Sequence, residues 1–118
     1  MATTIYHNPR CNHSRAVLAM IRDAGIEPAI VDYQSTPPSA AKLRQLLRDA
    51  GLSPRQAIRD KEAAYADRGL DDPTLDDEAV IAAMVADPIL IQRPLVENER
   101  GVRLCRPPER VLELLGPD

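Results

Sequence analysis

Apolar and polar positions along the chain fall into short blocks whose period alternates between that of a strand and that of a helix. Thr3-Thr4-Ile5-Tyr6 is β-branched and aromatic and ends at Asn8-Pro9, which predicts a strand followed by a turn. Val17, Met20, Ile21 and Ala24 then recur at i, i+3, i+4 and i+7, one face of a helix that Gly25 should stop. Ala29-Ile30-Val31-Asp32-Tyr33 reads as a second strand. Beyond Thr36-Pro37-Pro38, Ser39 is a candidate N-cap for a helix carrying Leu43, Leu46 and Leu47 and closed by Gly51. Ser53-Pro54 opens a short helix through Ile58. Asp76 or Asp77 can cap another, with Val80, Ile81, Met84 and Val85 facing inward, and Pro88 ends it.

The last third changes character. Leu95-Val96 and Val102-Arg103-Leu104 flank Asn98-Glu99-Arg100-Gly101, the signature of a hairpin. Pro107-Pro108 opens a terminal helix with Val111, Leu112 and Leu115, which Gly116-Pro117 should end. The order is thus β-α-β, a helical middle, then β-β-α. A βαβ unit implies parallel strands with a right-handed crossover, and the hairpin adds antiparallel ones. The expected fold class is α/β: a mixed sheet of about four strands with helices on both faces. A thioredoxin-like or glutaredoxin-like sheet with a helical insertion at about residues 39–87 satisfies it, in a single domain over residues 1–118.

Composition narrows the class. Hydrophobic residues make up 44% and charged residues 28%, which excludes an intrinsically disordered chain. The net charge is −3, the wrong sign for nucleic-acid binding by bulk charge, and with three Tyr and no Phe or Trp there are few platforms for stacking bases. No apolar run approaches the roughly 20 residues of a membrane span, and Met1-Ala2-Thr3-Thr4 lacks the layout of a signal peptide. Two cysteines, Cys11 and Cys105, fit a reducing compartment, so a cytoplasmic location is expected. A monomer is expected, since no predicted face carries an unusual apolar excess. Charge is uneven: residues 1–60 carry eight basic and five acidic groups, residues 61–118 seven and thirteen. The acidic excess between Asp67 and Asp87 reads as a solvated helical segment.

Cys11 carries the most chemical information. It falls between the first strand and the first helix, where free backbone N–H groups and the helix dipole favour an anion and depress a thiol pKa. Arg10 and Arg15 flank it, and His7 and His13 share its loop. Cys11-Asn12-His13-Ser14 has Ser14 where a dithiol motif would have its second sulfur, so Cys11 cannot close a disulfide within the motif. Ser14 could donate to the thiolate or cap the helix. Cys105, between Leu104 and Arg106 near a strand end, reads as a packed small side chain. A phosphatase-type loop would need Arg six residues after the cysteine, but position 17 is Val. An oxyanion would therefore be held by arginines from elsewhere, and Arg59, Arg93 and Arg106 lie at element ends. Thirteen of the fifteen basic residues are Arg, whose planar fork suits that task, although coding bias accounts for the overall excess.

Ile5-Tyr6-His7-Asn8-Pro9-Arg10-Cys11 followed by Ser14-Arg15 resembles the active-site loop of the glutaredoxin-linked arsenate reductase family. Ile89-Leu90-Ile91-Gln92-Arg93-Pro94-Leu95-Val96 and Arg103-Leu104-Cys105-Arg106-Pro107 are similar to its two later motifs, and the resemblance runs from about Thr4 to Leu115. It implies a thioredoxin-like fold with Arg93-Pro94 as a cis-proline junction. It also implies Cys11 as nucleophile, His7 as a loop-ordering group that supports the thiolate, and Arg59, Arg93 and Arg106 as an oxyanion clamp. Asn12 and His13 replace the small residues often found after the nucleophile, and the chain lacks the C-terminal tail of the longest family members.

The implied activity is reduction of arsenate to arsenite, with glutathione as co-substrate, glutaredoxin as partner, and no bound cofactor or metal. Two other readings share the fold. One is a redox-sensing regulator of the Spx type that binds RNA polymerase, against which Ser14 counts because such proteins usually carry C-x-x-C. The other is a glutathione-dependent thiol oxidoreductase acting on a different substrate.

Overall fold

In the computed structural model, which describes residues 2–115, the chain divides into two compact units. One comprises the N-terminal segment through Thr36 together with the chain from Arg93 onward; the other spans Pro37–Gln92. The second exceeds the expected insertion of 39–87 by a few residues at each end.

The first unit holds a four-stranded sheet in the order β2-β1-β3-β4, built from β1 (Thr4–His7), β2 (Ala29–Asp32), β3 (Leu95–Asn98) and β4 (Gly101–Leu104). β1 runs parallel to β2, pairing Ile5 with Ile30 and His7 with Asp32, and antiparallel to β3, pairing Ile5 with Val96. β3 and β4 form the hairpin, with the positive φ its turn requires placed on Gly101. This is the mixed sheet expected of a thioredoxin-like fold.

Strand alternation sends Ile5 and Val96 to one face. There they pack with Val17 and Ile21 of α1 (Asn12–Asp23), Cys105, and Val111 and Leu114 of the C-terminal segment. Glycine stops α1 as expected: Gly25 takes φ +84°, a left-handed conformation open to it without a Cβ penalty. Ala24, expected on the buried face, is exposed, because the helix ends at Asp23 and Ala24 has already turned away as its C-cap. The terminal helix also differs in detail. Pro108–Val111 is a 3-10 turn that passes into α6 (Leu112–Leu115). Its tighter winding rotates the inward face. Leu114 is therefore buried, while Leu112 is 52% exposed. Gly116-Pro117, the expected stop, lie outside the described residues.

The helical unit carries α2 (Ala40–Ala50), α3 (Pro54–Ala57), α4 (Ala63–Asp67) and α5 (Asp77–Ala86). Its caps follow the sequence. The Ser39 hydroxyl accepts from the Lys42 N–H at 3.0 Å, Ser53 and Gln56 form a reciprocal capping box, and Asp76 accepts from the Ala79 N–H at 2.8 Å. Between them α5, apolar on nearly every side, packs against α2 and α3, burying Val80, Ile81, Ala83 and Met84. Val85 is only half-buried, and the inward place falls to Ala83.

Of the acidic stretch expected to be helical, residues 68–76 form turns, and the helix starts at Asp77. Arg55 fixes those turns by donating to the carbonyls of Leu70 and Asp72. Helix α4 and an isolated antiparallel bridge between Ile58 and Ile91 carry no sequence signal of the expected kind. Among the described residues, no helix is long and apolar enough to cross a membrane.

Candidate active site

Cys11 is the N-cap residue of α1, in extended conformation with φ −95° and ψ 124°. No side chain caps the helix, and its first turn carries no acidic residue, so the positive end of the helix dipole is left to the sulfur. The thiol is half-buried. Burial by itself pushes its pKa up. The backbone N–H of Ser14, the guanidinium of Arg93 and the backbone N–H of His13 outweigh that, and the thiol sits below the usual 9.0. The cation acting on the sulfur is therefore Arg93 from the start of the third strand region, rather than the sequence neighbours Arg10 and Arg15. Arg15 is turned away, donating to the Pro9 carbonyl at 3.1 Å and to the Asn12 side chain.

A buried hydrogen-bond frame sets the loop. His7 Nδ1 and Ser14 Oγ lie 2.6 Å apart, and Ser14 Oγ accepts from the Asn8 N–H at 3.0 Å. Asn8 in turn accepts from the Cys11 N–H through its carbonyl at 3.0 Å and from the Arg10 N–H through Oδ1 at 2.9 Å. Burial lowers the His7 pKa, with Arg22 and Arg15 acting the same way and Asp32 opposing. A neutral ring with its proton on Nε2 lets Ser14 donate to Nδ1 while accepting from Asn8. Neither role foreseen for the Ser14 hydroxyl is the one it fills. It ties β1 to the loop, and it is the Ser14 backbone that faces the thiol. His7 likewise acts on the loop through Ser14.

The three candidate arginines differ. Arg93 is buried and bonded toward Cys11, and the peptide that follows it, Arg93-Pro94, is cis as the resemblance implies. Arg106 donates from Nη1 to the Arg93 carbonyl at 3.0 Å, which brings it beside the same group, and Arg106-Pro107 is also cis. Arg59 belongs to the helical unit. There its Nε donates to Glu62 at 3.1 Å and its Nη1 to Gln92 Oε1 at 3.4 Å, beside a cleft of about 220 Å³ that both residues line. Another cleft of that unit, about 360 Å³ between Leu47, Leu52 and Ile81, is lined by no cysteine or histidine.

Cys105 is fully enclosed in the sheet core, and burial pushes its thiol up to about 12. Its packed role agrees with the sequence reading. Two site residues escaped that reading. Asn8 registered only as a turn former before Pro9, although it is buried and bonds three loop groups. Tyr33 registered only as a strand residue, although it is buried against the same loop. The parallel register, which places Tyr33 one step beyond the His7–Asp32 pair, is the signal that links it to Asn8. Among the described residues, no group of three or more His, Cys, Asp or Glu could hold a metal ion.

Comparison with known proteins agrees with this arrangement. A profile of the ArsC family matches residues 6–114. An arsenate reductase of Rhizobium meliloti is 54% identical over 118 residues, covering 100% of this chain and 84% of the relative. The uncharacterized protein YfgD of Escherichia coli is 47% identical over 113 residues, 95% of each chain. The solved structure of an arsenate reductase from Vibrio cholerae superposes with a TM-score of 0.92 at 43% identity, over 96% of this chain and 97% of that one. With its thioredoxin-like sheet, its loop cysteine and these relatives, the chain belongs to the ArsC family.

Proposed function

We propose that the protein reduces arsenate to arsenite through Cys11, with glutathione and glutaredoxin supplying the electrons. The observation that carries this reading is a thiol at an uncapped helix N-terminus, with the Arg93 guanidinium beside it and its pKa lowered by these donors. The thiolate attacks the arsenic of monohydrogen arsenate. A sulfur–arsenic bond forms, an arsenic–oxygen bond breaks, and hydroxide leaves to be protonated by solvent. Arg93 and Arg106 offset the charge on the remaining oxygens, as fixed cationic donors do best in a partly dry site. The share of Arg59, the third arginine of the family motif, is read from Arg59→Gln.

The sulfur of glutathione then attacks the sulfur of Cys11. A disulfide forms, and the sulfur–arsenic pair stays on arsenic, which falls from the pentavalent to the trivalent state and leaves as arsenite. A glutaredoxin thiolate takes the glutathionyl group and returns Cys11 as thiolate. The cycle needs no second cysteine in the loop, consistent with Ser14 at that position and with Cys105 locked in the core.

The test is arsenate-dependent NADPH oxidation coupled through glutathione, glutathione reductase and glutaredoxin. Turnover by the wild type and none by Cys11→Ser is expected. Equal turnover by both would overturn the nucleophile assignment. A wild type that accepts glutathione mixed disulfides but not arsenate would favour the other thiol oxidoreductase reading.

A further inference from the structure

The loop that leads to Cys11 is also one wall of a hollow that the chemistry above leaves unused. Asn8, Pro9 and Arg10 line it together with Asp32, Gln34 and Ser35, around a space of about 140 Å³ that has room for one amino-acid head group. The hollow and the nucleophile share a turn. The Asn8 carbonyl accepts from the Cys11 N–H at 3.0 Å, and the ends of such a turn lie within about 7 Å of each other. The two walls carry opposite charge. On the loop, the exposed Arg10 guanidinium has no hydrogen bond or ion pair among the described residues, whereas that of Arg15 is engaged by Pro9 and Asn12. At the end of β2, the Asp32 carboxylate accepts from the Gln34 N–H at 3.3 Å, the Ser35 N–H at 3.4 Å and the Ser35 hydroxyl at 3.3 Å. These bonds fix the carboxylate and leave its second oxygen able to accept once more.

We propose that this hollow binds the γ-glutamyl head of glutathione, its α-carboxylate on Arg10 and its α-ammonium on Asp32, while the cysteinyl sulfur meets Cys11. This rests on the reading of glutathione as reductant and adds where the tripeptide is held. A doubly charged oxyanion would gain from Arg10 but be repelled by Asp32, so the hollow suits a zwitterion rather than arsenate. In glutathione one amide and a short methylene chain separate the γ-glutamyl head from the cysteine, a reach that matches one turn of loop. Anchoring that head beside Cys11 turns an encounter between two free thiol compounds into a reaction within a complex.

The test uses disulfides and no arsenate. The Cys11 thiolate attacks one sulfur of glutathione disulfide, a Cys11–glutathione disulfide forms as the old sulfur–sulfur bond breaks, and the other half leaves as a thiolate. Diacetylcystine, which has the same net charge but blocked amino groups, is the reference, and the ratio of the two rates cancels differences in thiolate content. The wild-type ratio should exceed that of 2-mercaptoethanol, measured the same way, by roughly fivefold. Arg10→Gln and Asp32→Asn should each lower it by about two- to fivefold, and Arg10→Lys, which keeps the charge, should retain most of it. In the arsenate assay, Arg10→Gln should raise the KM for glutathione by a similar factor, and more than the KM for arsenate. A wild-type ratio no higher than that of 2-mercaptoethanol would overturn the assignment, as would an Arg10→Gln ratio equal to the wild type's. Loss in Arg10→Gln with none in Asp32→Asn would overturn the zwitterion pairing. A wild type that shows the preference without arsenate turnover supports the hollow and sinks only the reductase reading; turnover without the preference does the reverse.

Discussion

The two thiols of this chain lie in the same sheet unit and are opposites. Cys11 stands in a polar loop at the head of α1; Cys105 follows β4 and is packed among Ile5, Val17, Ile21, Val96, Val111 and Leu114. Burial raises the pKa of each. What separates them is how deep that burial is and which groups face the sulfur to oppose it. Around Cys11 these are donors, the N–H groups of Ser14 and His13 and the Arg93 guanidinium, and they bring the thiol below its usual value. Cys105, whose sulfur lies 3.7 Å from the Arg103 carbonyl, has no such donors, and deep burial takes its thiol up to about 12. Burial raises both thiols, and the one with donors aimed at its sulfur ends below its usual value, as a nucleophile needs.

The largest effects break the comparison outright. Cys11→Ser is expected to lose arsenate turnover by at least about a thousandfold, while Cys105→Ala keeps it. The latter loses about 1–2 kcal/mol of stability, the cost of a small core cavity. Turnover lost in Cys105→Ala, with the fold intact by circular dichroism, would contradict the division of roles.

The thiols should also differ in how they link stability to pH. Cys11 has a folded pKa below the usual 9.0, so its contribution is complete above 9.0 and is lost as pH falls through the lowered value. Cys105 is the reverse. Its folded pKa of about 12 exceeds 9.0, so its contribution is complete below 9.0 and is lost as pH rises toward 12. The loss amounts to roughly 1.4 kcal/mol per pH unit. Urea unfolding between pH 9 and 10.5 should show a steeper decline for the wild type than for Cys105→Ala. Parallel slopes would mean that the Cys105 thiol ionises freely in the folded state.

Much of this contrast was legible in the chain itself. Asn8-Pro9 followed by a helix start put Cys11 at an N-terminus, and a place near a strand end marked Cys105 as a packed small side chain. Local chemistry also marked the caps at Ser39, Ser53 and Asp76, because each cap is satisfied within three residues. What was not legible depends on the chain returning from a distance. Arg93 reaches Cys11 from 82 positions along the sequence, while the adjacent Arg15 turns outward. The partners of Ser14 depend on how the loop folds back on β1, which spacing does not encode. Leu114, which the sequence reading did not single out, is buried because a 3-10 turn shifts the phase of the helix.

Ser14→Ala sharpens the comparison at the loop frame. It leaves the buried Asn8 N–H without its acceptor and His7 Nδ1 without its partner. A loss of about 1–3 kcal/mol is expected in urea unfolding. The Ser14 backbone N–H survives the substitution, so the Cys11 pKa should move less than the stability does. A large pKa rise with unchanged stability would instead place the hydroxyl on the sulfur.

Arg93 is the finest test, because it separates the cation from the helix terminus. Arg93→Gln removes the charge and leaves the N–H groups of Ser14 and His13 in place. The Cys11 pKa read from iodoacetamide rates should rise toward 9.0 without reaching it, and the rate at pH 7 should fall several-fold, by less than about tenfold. Arg93→Lys restores the charge and should recover most of the rate. It should still bind arsenate more weakly than the wild type, since an ammonium cannot present two parallel N–H bonds to an oxyanion. Arg15→Gln is the control: its guanidinium is engaged by Pro9 and Asn12, and alkylation should not change. If Arg93→Gln left the Cys11 pKa at its wild-type value, the backbone donors alone would set the thiolate. Arg93 would then serve only to hold the oxyanion.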